Sequence, residues 1–270
     1  MKPRVALLRF PGVNCEFETA RALACAGAEV TWLGWGARLE EAAFDGFVLP
    51  GGFSYEDRVR AGAVASRSEW MDALGRAGEA GKPVLGICNG AQVLVEGGLV
   101  PGRAGLAVEL ALARNRGRGA GGYLCCWCFV EIASMPGWPG RLAGTRWPVP
   151  VAHAEGRFVS RDPAVRAELE SGRLGAARYV QPDGAPAAGS PWDPNGSLGA
   201  AAGVGSERGN VLAFMPHPER AAWLRQVPEG LPGEWGERRR GARTAAELMS
   251  PGPGQALLDA FVHAAREAVR

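Results

Sequence analysis

The sequence of 270 residues lacks any run of about 18 apolar residues, so no segment reads as a membrane-spanning helix. Its first ten residues are too short and too broken by charge for a secretory signal, and they read as a first strand. It has no charge excess of either sign: the formal net charge is +2, which makes no case for nucleic acid or an anionic membrane as the partner. It lacks the Gly-x-x-x-x-Gly-Lys-[Ser/Thr] phosphate loop, and it has no well-placed Gly-x-Gly-x-x-Gly. Cys125-Cys126-Trp127-Cys128 has no second ligand pair at zinc spacing, so no metal site is expected. In a strand Cys126 and Cys128 share a face and Cys125 points away, which reads as packing. Histidine is scarce, with three in the chain. Together these absences leave a cytoplasmic protein with its six cysteines reduced.

What is present is apolar residue in short strands. Forty glycines and twenty prolines are scattered without period, so they mark turns. Strands are expected at 4–10, 29–33, 44–49 and 84–88, with helices at 67–80 and about 89–96 between or after them. Another helix, capped by Asn14 and closed by Gly27, follows the first strand. This alternation predicts an α/β fold: a doubly wound, mostly parallel sheet of flavodoxin-like type with a small antiparallel extension. Further strands are expected at 123–132, 149–152 and 175–180, and a hairpin joins 197–205 to 211–215. Residues about 221–253 read as a surface excursion, with no role assigned to Gly233–Arg243. A helix over about 255–269 follows, and 1–270 is taken as one domain.

Three segments carry chemistry. Cys88 sits in Gly86-Ile-Cys-Asn-Gly-Ala-Gln92, where a buried strand meets a helix. Small residues flank it, as a nucleophile elbow requires. A helix N-terminus favours thiolate there, and the Asn89 amide is placed to donate to an oxyanion. A core cysteine ending a strand is the alternative for this pattern alone. The second segment is Phe214-Met-Pro-His-Pro-Glu-Arg220. Prolines stiffen both sides of His217, and Glu219, two residues on in an extended chain, is directed to the same side. A carboxylate orienting an imidazole that activates a thiol is the generalised triad. Alone, the segment is read more readily as a rigid surface turn with an incidental ion pair; beside a cysteine elbow that reading recedes. In the third, Pro50-Gly51-Gly52, consecutive glycines let a backbone amide approach a ligand, and Gly52 is the candidate second oxyanion donor.

The combination resembles the class I glutamine amidotransferases. Within them it is most similar to the glutaminase subunits that serve the amidation of formylglycinamide ribonucleotide in purine synthesis. The matching stretches are Arg9–Glu16, Val48–Tyr55, Arg60–Ala63, Gly86–Gln92, Val151–Gly156, Pro194–Ser197 and Met215–Arg220. The resemblance implies that Cys88 attacks the side-chain amide of L-glutamine, that His217 moves the protons, and that Glu219 holds the ring. Amides of Gly52 and Asn89 would form the oxyanion hole, and Gln92 would shape the glutamine pocket. It implies a large synthetase subunit, which carries ATP and Mg²⁺, and a small bridging subunit; this chain itself would hold no cofactor.

Two departures stand out. Glu56 replaces a family glycine whose position calls for a positive φ, which predicts strain. Ala154 replaces another glycine, between His153 and Glu155. Cys15 lies near the expected site with no base beside it in sequence. Two other readings share the fold class: a cysteine hydrolase of the DJ-1 or intracellular-protease type, whose elbow context differs, and a non-catalytic regulatory subunit, which would be expected to have lost Cys88, His217 or Glu219.

Overall fold

A computed structural model describes the chain except residues 104–105, 117–121, 188, 190 and 269–270. Its strands are β1 (Arg4–Arg9), β2 (Glu29–Gly34), β3 (Gly46–Leu49), β4 (Val84–Ile87), β5 (Ala111–Arg114), β6 (Leu124–Ile132), β7 (Arg146–His153), β8 (Glu155–Val159), β9 (Gly175–Val180), β10 (Ala201–Gly205) and β11 (Val211–Phe214). Its helices are α1 (Glu16–Cys25), α2 (Trp70–Glu79), α3 (Asn89–Glu96), α4 (Pro163–Ser171), α5 (Glu234–Gly241), α6 (Ala245–Leu248) and α7 (Gln255–Glu267).

Nine strands form one sheet in the order β2-β1-β3-β4-β11-β10-β9-β6-β7, and β5 pairs with β8 separately. From β2 to β11 neighbouring strands are parallel; from β11 to β7 they are antiparallel. The expected α/β fold is therefore found, and its antiparallel part continues the main sheet. The expected hairpin is the β10–β11 pair. Parallel strands covered on both faces should be apolar throughout, and β3, β4 and β11 are buried along their whole length. Each large side chain taken from water here, such as Phe47, Phe214, Phe261 or Leu7, contributes about 1.5–3 kcal/mol.

Some boundaries differ from expectation for local reasons. Asn14 does not cap α1: Cys15 takes that position without a side-chain cap, and Asn14 Oδ1 faces the Cys15 sulfur at 3.2 Å. Helix α2 begins at Trp70, because Ser68, extended at ψ 154°, separates it from a 3-10 turn over Ala65–Arg67. The C-terminal helix runs as α7, and Val269, to which the sequence extends it, lies outside the described residues. The segment after residue 220 has more order than its composition suggests. Leu224, Val227 and Leu231 bury against Phe129 and Val180 of the antiparallel strands, and α5 and α6 follow. Cys128 is buried and Cys125 exposed, as the strand alternation requires.

What matters for chemistry is where the parallel strands end. Val13–Cys15 follow β1, Gly51–Gly52 follow β3, Cys88 follows β4 and His217 follows β11. Four neighbouring strands thus deliver their loops to one rim, the carboxyl edge where open α/β sheets bind ligands. A separate cavity of about 520 Å³ lies at the other end, where Asn210 and Val211 enter β11. It contains none of these loops.

Candidate active site

Cys88 adopts φ 49° and ψ −104°, outside the regions an L-residue prefers. Such a conformation persists only where the surroundings impose it, and here two glycines do. A Cβ on Gly90 would lie 2.0 Å from the Leu49 carbonyl oxygen, and one on Gly86 would lie 2.6 Å from the Gly90 carbonyl oxygen. The turn between β4 and α3 closes only with both. The Cys88 amide donates to Phe214 O at 2.8 Å, which ties the elbow to β11 and so to the His217 loop. Its thiol faces Ala152 O at 3.5 Å.

His217 is fixed by its backbone N–H, which donates to Pro150 O at 2.8 Å. Pro218 then starts a 3-10 turn, Pro218–Ala221. The segment is therefore not extended, as its spacing led one to expect, yet the turn brings the side chains together. His217 Nδ1 lies 2.5 Å from Glu219 Oε1. A carboxylate can only accept, so Nδ1 carries the proton and Nε2 presents a lone pair when the ring is neutral. Nε2 is buried and has no hydrogen-bond partner among the described residues. Burial alone would push the ring's pKa down. The Glu219 carboxylate, then Cys88, and contacts with both cysteines outweigh it and hold the imidazolium well above the ordinary histidine value.

The Gly51-Gly52 loop is used twice. Gly52, at φ 152°, bridges to Val13, and a Cβ there would lie 2.6 Å from Val13 Cα. Gly51 has a role of its own that the sequence does not reveal: a Cβ on it would lie 2.7 Å from His217 Cε1. The imidazole can occupy its place only over a glycine. Asn89 and Gln92, both buried, lie on the first turn of α3. Asn89 Nδ2 donates to Gln92 Oε1 at 2.9 Å, and Gln92 Nε2 donates to Glu155 O at 2.7 Å. Both ends of the Gln92 amide are thus held by the protein, which makes it a wall.

Asp57 lies beside this wall, with Asn89 Nδ2 at 3.3 Å from its Oδ1. Burial and the Glu155 charge push its carboxyl up to about 6. The loop leading to it carries the predicted strain: Tyr55, Glu56 and Asp57 have φ of 52°, 58° and 52°. His153 is buried, with Nδ1 3.2 Å from Asn115 Oδ1; burial and the nearby His217 charge push its pKa down to about 3, so it is neutral. Phe53 and Tyr123, both exposed, stack at 6.2 Å. The Tyr123 hydroxyl donates to Ala152 O, the same carbonyl that faces the Cys88 thiol. Cys88 is 4% exposed and His217 2%, so the centre is nearly closed beneath this aromatic rim.

Cys15, His217 and Glu219 offer a sulfur, a nitrogen and an oxygen within 4.8 Å of one another, the donor set zinc takes. The geometry does not fit a cation. Ligands around tetrahedral zinc stand about 3.3 Å apart at its usual bond lengths, whereas Nδ1 and Oε1 are at hydrogen-bond distance. The Arg220 guanidinium, 3.0 Å from the Cys15 sulfur, already brings positive charge there.

Residues 2–244 match the family model of the CobB/CobQ-like glutamine amidotransferase domain. A protein of Methanothrix thermoacetophila named phosphoribosylformylglycinamidine synthase subunit PurQ is 41% identical over 239 residues, covering 85% of this chain and 90% of its own length. The protein of that name from Thermus thermophilus is 41% identical over 220 residues, covering 81% and 89%. Among solved structures, a chain of PurLQS from Thermotoga maritima superposes with a TM-score of 0.63 at 32% identity, over 89% of this chain and 97% of that one. A glutamine amidotransferase from the same organism, 16% identical with a TM-score of 0.52, shares the fold.

Proposed function

The chain belongs to the CobB/CobQ-like glutamine amidotransferase family, and on that premise we propose that it is a glutaminase whose ammonia serves the conversion of formylglycinamide ribonucleotide to formylglycinamidine ribonucleotide in purine biosynthesis. Relatives that share two fifths of its residues over most of both chains carry the synthase-subunit name, which supports this substrate and pathway.

The reaction runs on Cys88, His217 and Glu219. The Cys88 sulfur attacks the side-chain amide carbon of L-glutamine while His217 Nε2 holds the thiol proton. Amides of Gly52 and Asn89 receive the negative charge that develops on the carbonyl oxygen. The C–N bond then breaks, the imidazolium gives its proton to the departing nitrogen, and ammonia leaves a γ-glutamyl thioester. Water, deprotonated by the same ring, releases glutamate and restores the thiol. Glu219 keeps Nδ1 protonated throughout, and Gln92 bounds the pocket. The observation that carries the reading is the strained Cys88 elbow beside an imidazole whose Nδ1 is held by a buried carboxylate.

Residues 1–270 act as one domain in the cytoplasm. Among the described residues no helix is long and apolar enough to cross a membrane. The chain works with a large synthetase subunit, which binds ATP and Mg²⁺, and with a small bridging subunit; the Thermotoga structure, titled PurLQS, supports a multi-subunit assembly. Treating the purified chain with a glutamine-derived electrophile and mapping the modified peptide tests the chemistry. The adduct is expected on Cys88; an adduct confined to Cys15 or Cys125 would overturn the assignment.

A further inference from the structure

Cys15 comes from the opposite end of the sequence to His217 and is 1% exposed. Its sulfur stands on the Nδ1 side of the imidazole, 4.0 Å from that nitrogen. It accepts a hydrogen bond from Arg220 Nη2 at 3.0 Å, and its own S–H points to Asn14 Oδ1 at 3.2 Å. The backbone around it is held: Cys15 N donates to Gly51 O at 3.1 Å, and Thr19 Oγ1 donates to Cys15 O at 2.6 Å. The space exists because residue 51 is glycine, since a Cβ there would come within 3.2 Å of this sulfur.

Arg220 connects the sulfur to the triad. Its Nε lies 4.0 Å from Glu219 Oε1 and 3.6 Å from Glu18 Oε1. Glu219 is fully buried, and its Oε2 has no hydrogen-bond partner among the described residues. A buried carboxylate stays charged only where cations or donors compensate its lost hydration. Here the cations are the imidazolium and the Arg220 guanidinium. Arg220 is on a long side chain that is 37% exposed, free to swing to water unless something holds it. The Cys15 sulfur is placed to do so.

We propose that Cys15 is a positioning residue of the glutaminase centre: its sulfur pins the Arg220 guanidinium beside the Glu219 carboxylate, and that pairing holds the carboxylate against His217 Nδ1 and the ring turned with Nε2 to Cys88. The inference rests on the reading of Cys88, His217 and Glu219 given above. It also divides labour between two thiols around one ring. Burial pushes the Cys15 thiol up, and its S–H is given to Asn14, so it serves as a neutral acceptor while Cys88 reacts. Without the pinned guanidinium, the Glu219 carboxylate loses a neighbouring cation and holds the His217 imidazolium less firmly, so labelling requires higher pH.

The test is the rate of modification by a glutamine-derived electrophile as a function of pH, with the labelled peptide mapped. It uses the full chain and Cys15→Ala, Cys15→Ser, Arg220→Met and the Cys15→Ala/Arg220→Met double variant. Cys15→Ala is expected to slow labelling of Cys88 about fivefold at neutral pH, the size of a coupling near 1 kcal/mol. Its pH midpoint is expected to move up by about one unit. Arg220→Met should reproduce the shift, the double variant should be no slower than Arg220→Met alone, and Cys15→Ser, which keeps an acceptor, should recover most of the rate. Arg220 reaches the surface, so Arg220→Met and Cys15→Ser decide the matter even where Cys15→Ala folds poorly. A midpoint unmoved in Cys15→Ala and Arg220→Met, or effects that multiply in the double variant, would overturn the proposal while leaving Cys88 the nucleophile. Label on Cys15 in the unsubstituted chain would instead overturn the underlying reading.

Discussion

His217 Nδ1 and Glu219 Oε1 stand 2.5 Å apart with both residues buried, and the other ring nitrogen has no hydrogen-bond partner among the described residues. The carboxylate therefore decides which nitrogen can take a proton. Glu219→Gln retains the shape but lets the amide donate to the ring, favouring the wrong tautomer. Glutamine turnover is expected to fall by about ten-thousandfold, the scale seen when a triad carboxylate is neutralised. The same change alters stability. With the imidazole pKa raised, the pair stabilises the fold fully below about pH 6.5 and loses that contribution as pH climbs through the raised value. Denaturant midpoints of Glu219→Gln should lack this decline.

Glu56 sits at φ 58°, a conformation glycine adopts at little cost and glutamate does not. It is exposed, and its contact with Arg58 is a surface ion pair between residues two apart. Glu56→Gly should raise stability by up to about 1 kcal/mol, the αL strain relieved less the entropy glycine adds to the unfolded chain. Urea unfolding measures it, and a lower midpoint would mean that the loop draws more from Glu56 than its backbone loses.

Asp57 is pushed up to about 6 by burial and by the Glu155 charge. A raised carboxyl binds its proton more tightly in the folded chain than in the unfolded one. Stability from this group is thus present at low pH and is lost as pH rises from about 4, the ordinary carboxyl range, to about 6. Asp57→Asn should gain stability relative to the unsubstituted chain across that interval and run parallel to it above. Thermal midpoints taken at intervals of half a pH unit would reveal it.

Tyr123 stacks on Phe53 above the carbonyl that the Cys88 thiol faces. Tyr123→Ala removes one leaf of that cover. Alkylation of Cys88 by a small reagent such as iodoacetamide should accelerate by about tenfold, the effect of roughly 1.4 kcal/mol on access. An unchanged rate would place the barrier to entry elsewhere.

Much of this was legible in the sequence, because the chemistry depends on residues whose constraints are local. Gly86 and Gly90 reveal an elbow since no other residue leaves room for Leu49 and for one another. The prolines around His217 fix its direction whether the chain runs extended or, as here, turns into a 3-10 segment. What could not be read were contacts made by the fold alone. Cys15 and His217 are 202 residues apart, and only the adjacency of the loops after β1, β3 and β11 joins them. Gly51 and Gly52 look alike in sequence; it takes the imidazole's position to show that the first makes room for the ring. Strands β5 and β8 are short and only partly buried, so they carry little hydrophobic signal. The residues after 220 gain order from Phe129 and Val180, far away in the chain.

The central claim is that Cys88 releases ammonia from glutamine for another subunit's reaction. It is tested most directly by Cys88→Ala in the assembled synthase, comparing formylglycinamidine ribonucleotide formation from glutamine with that from free ammonium. Glutamine-dependent formation is expected to disappear while ammonium-dependent formation stays near the unsubstituted rate; glutamine-dependent formation that survives the substitution would contradict this role of Cys88.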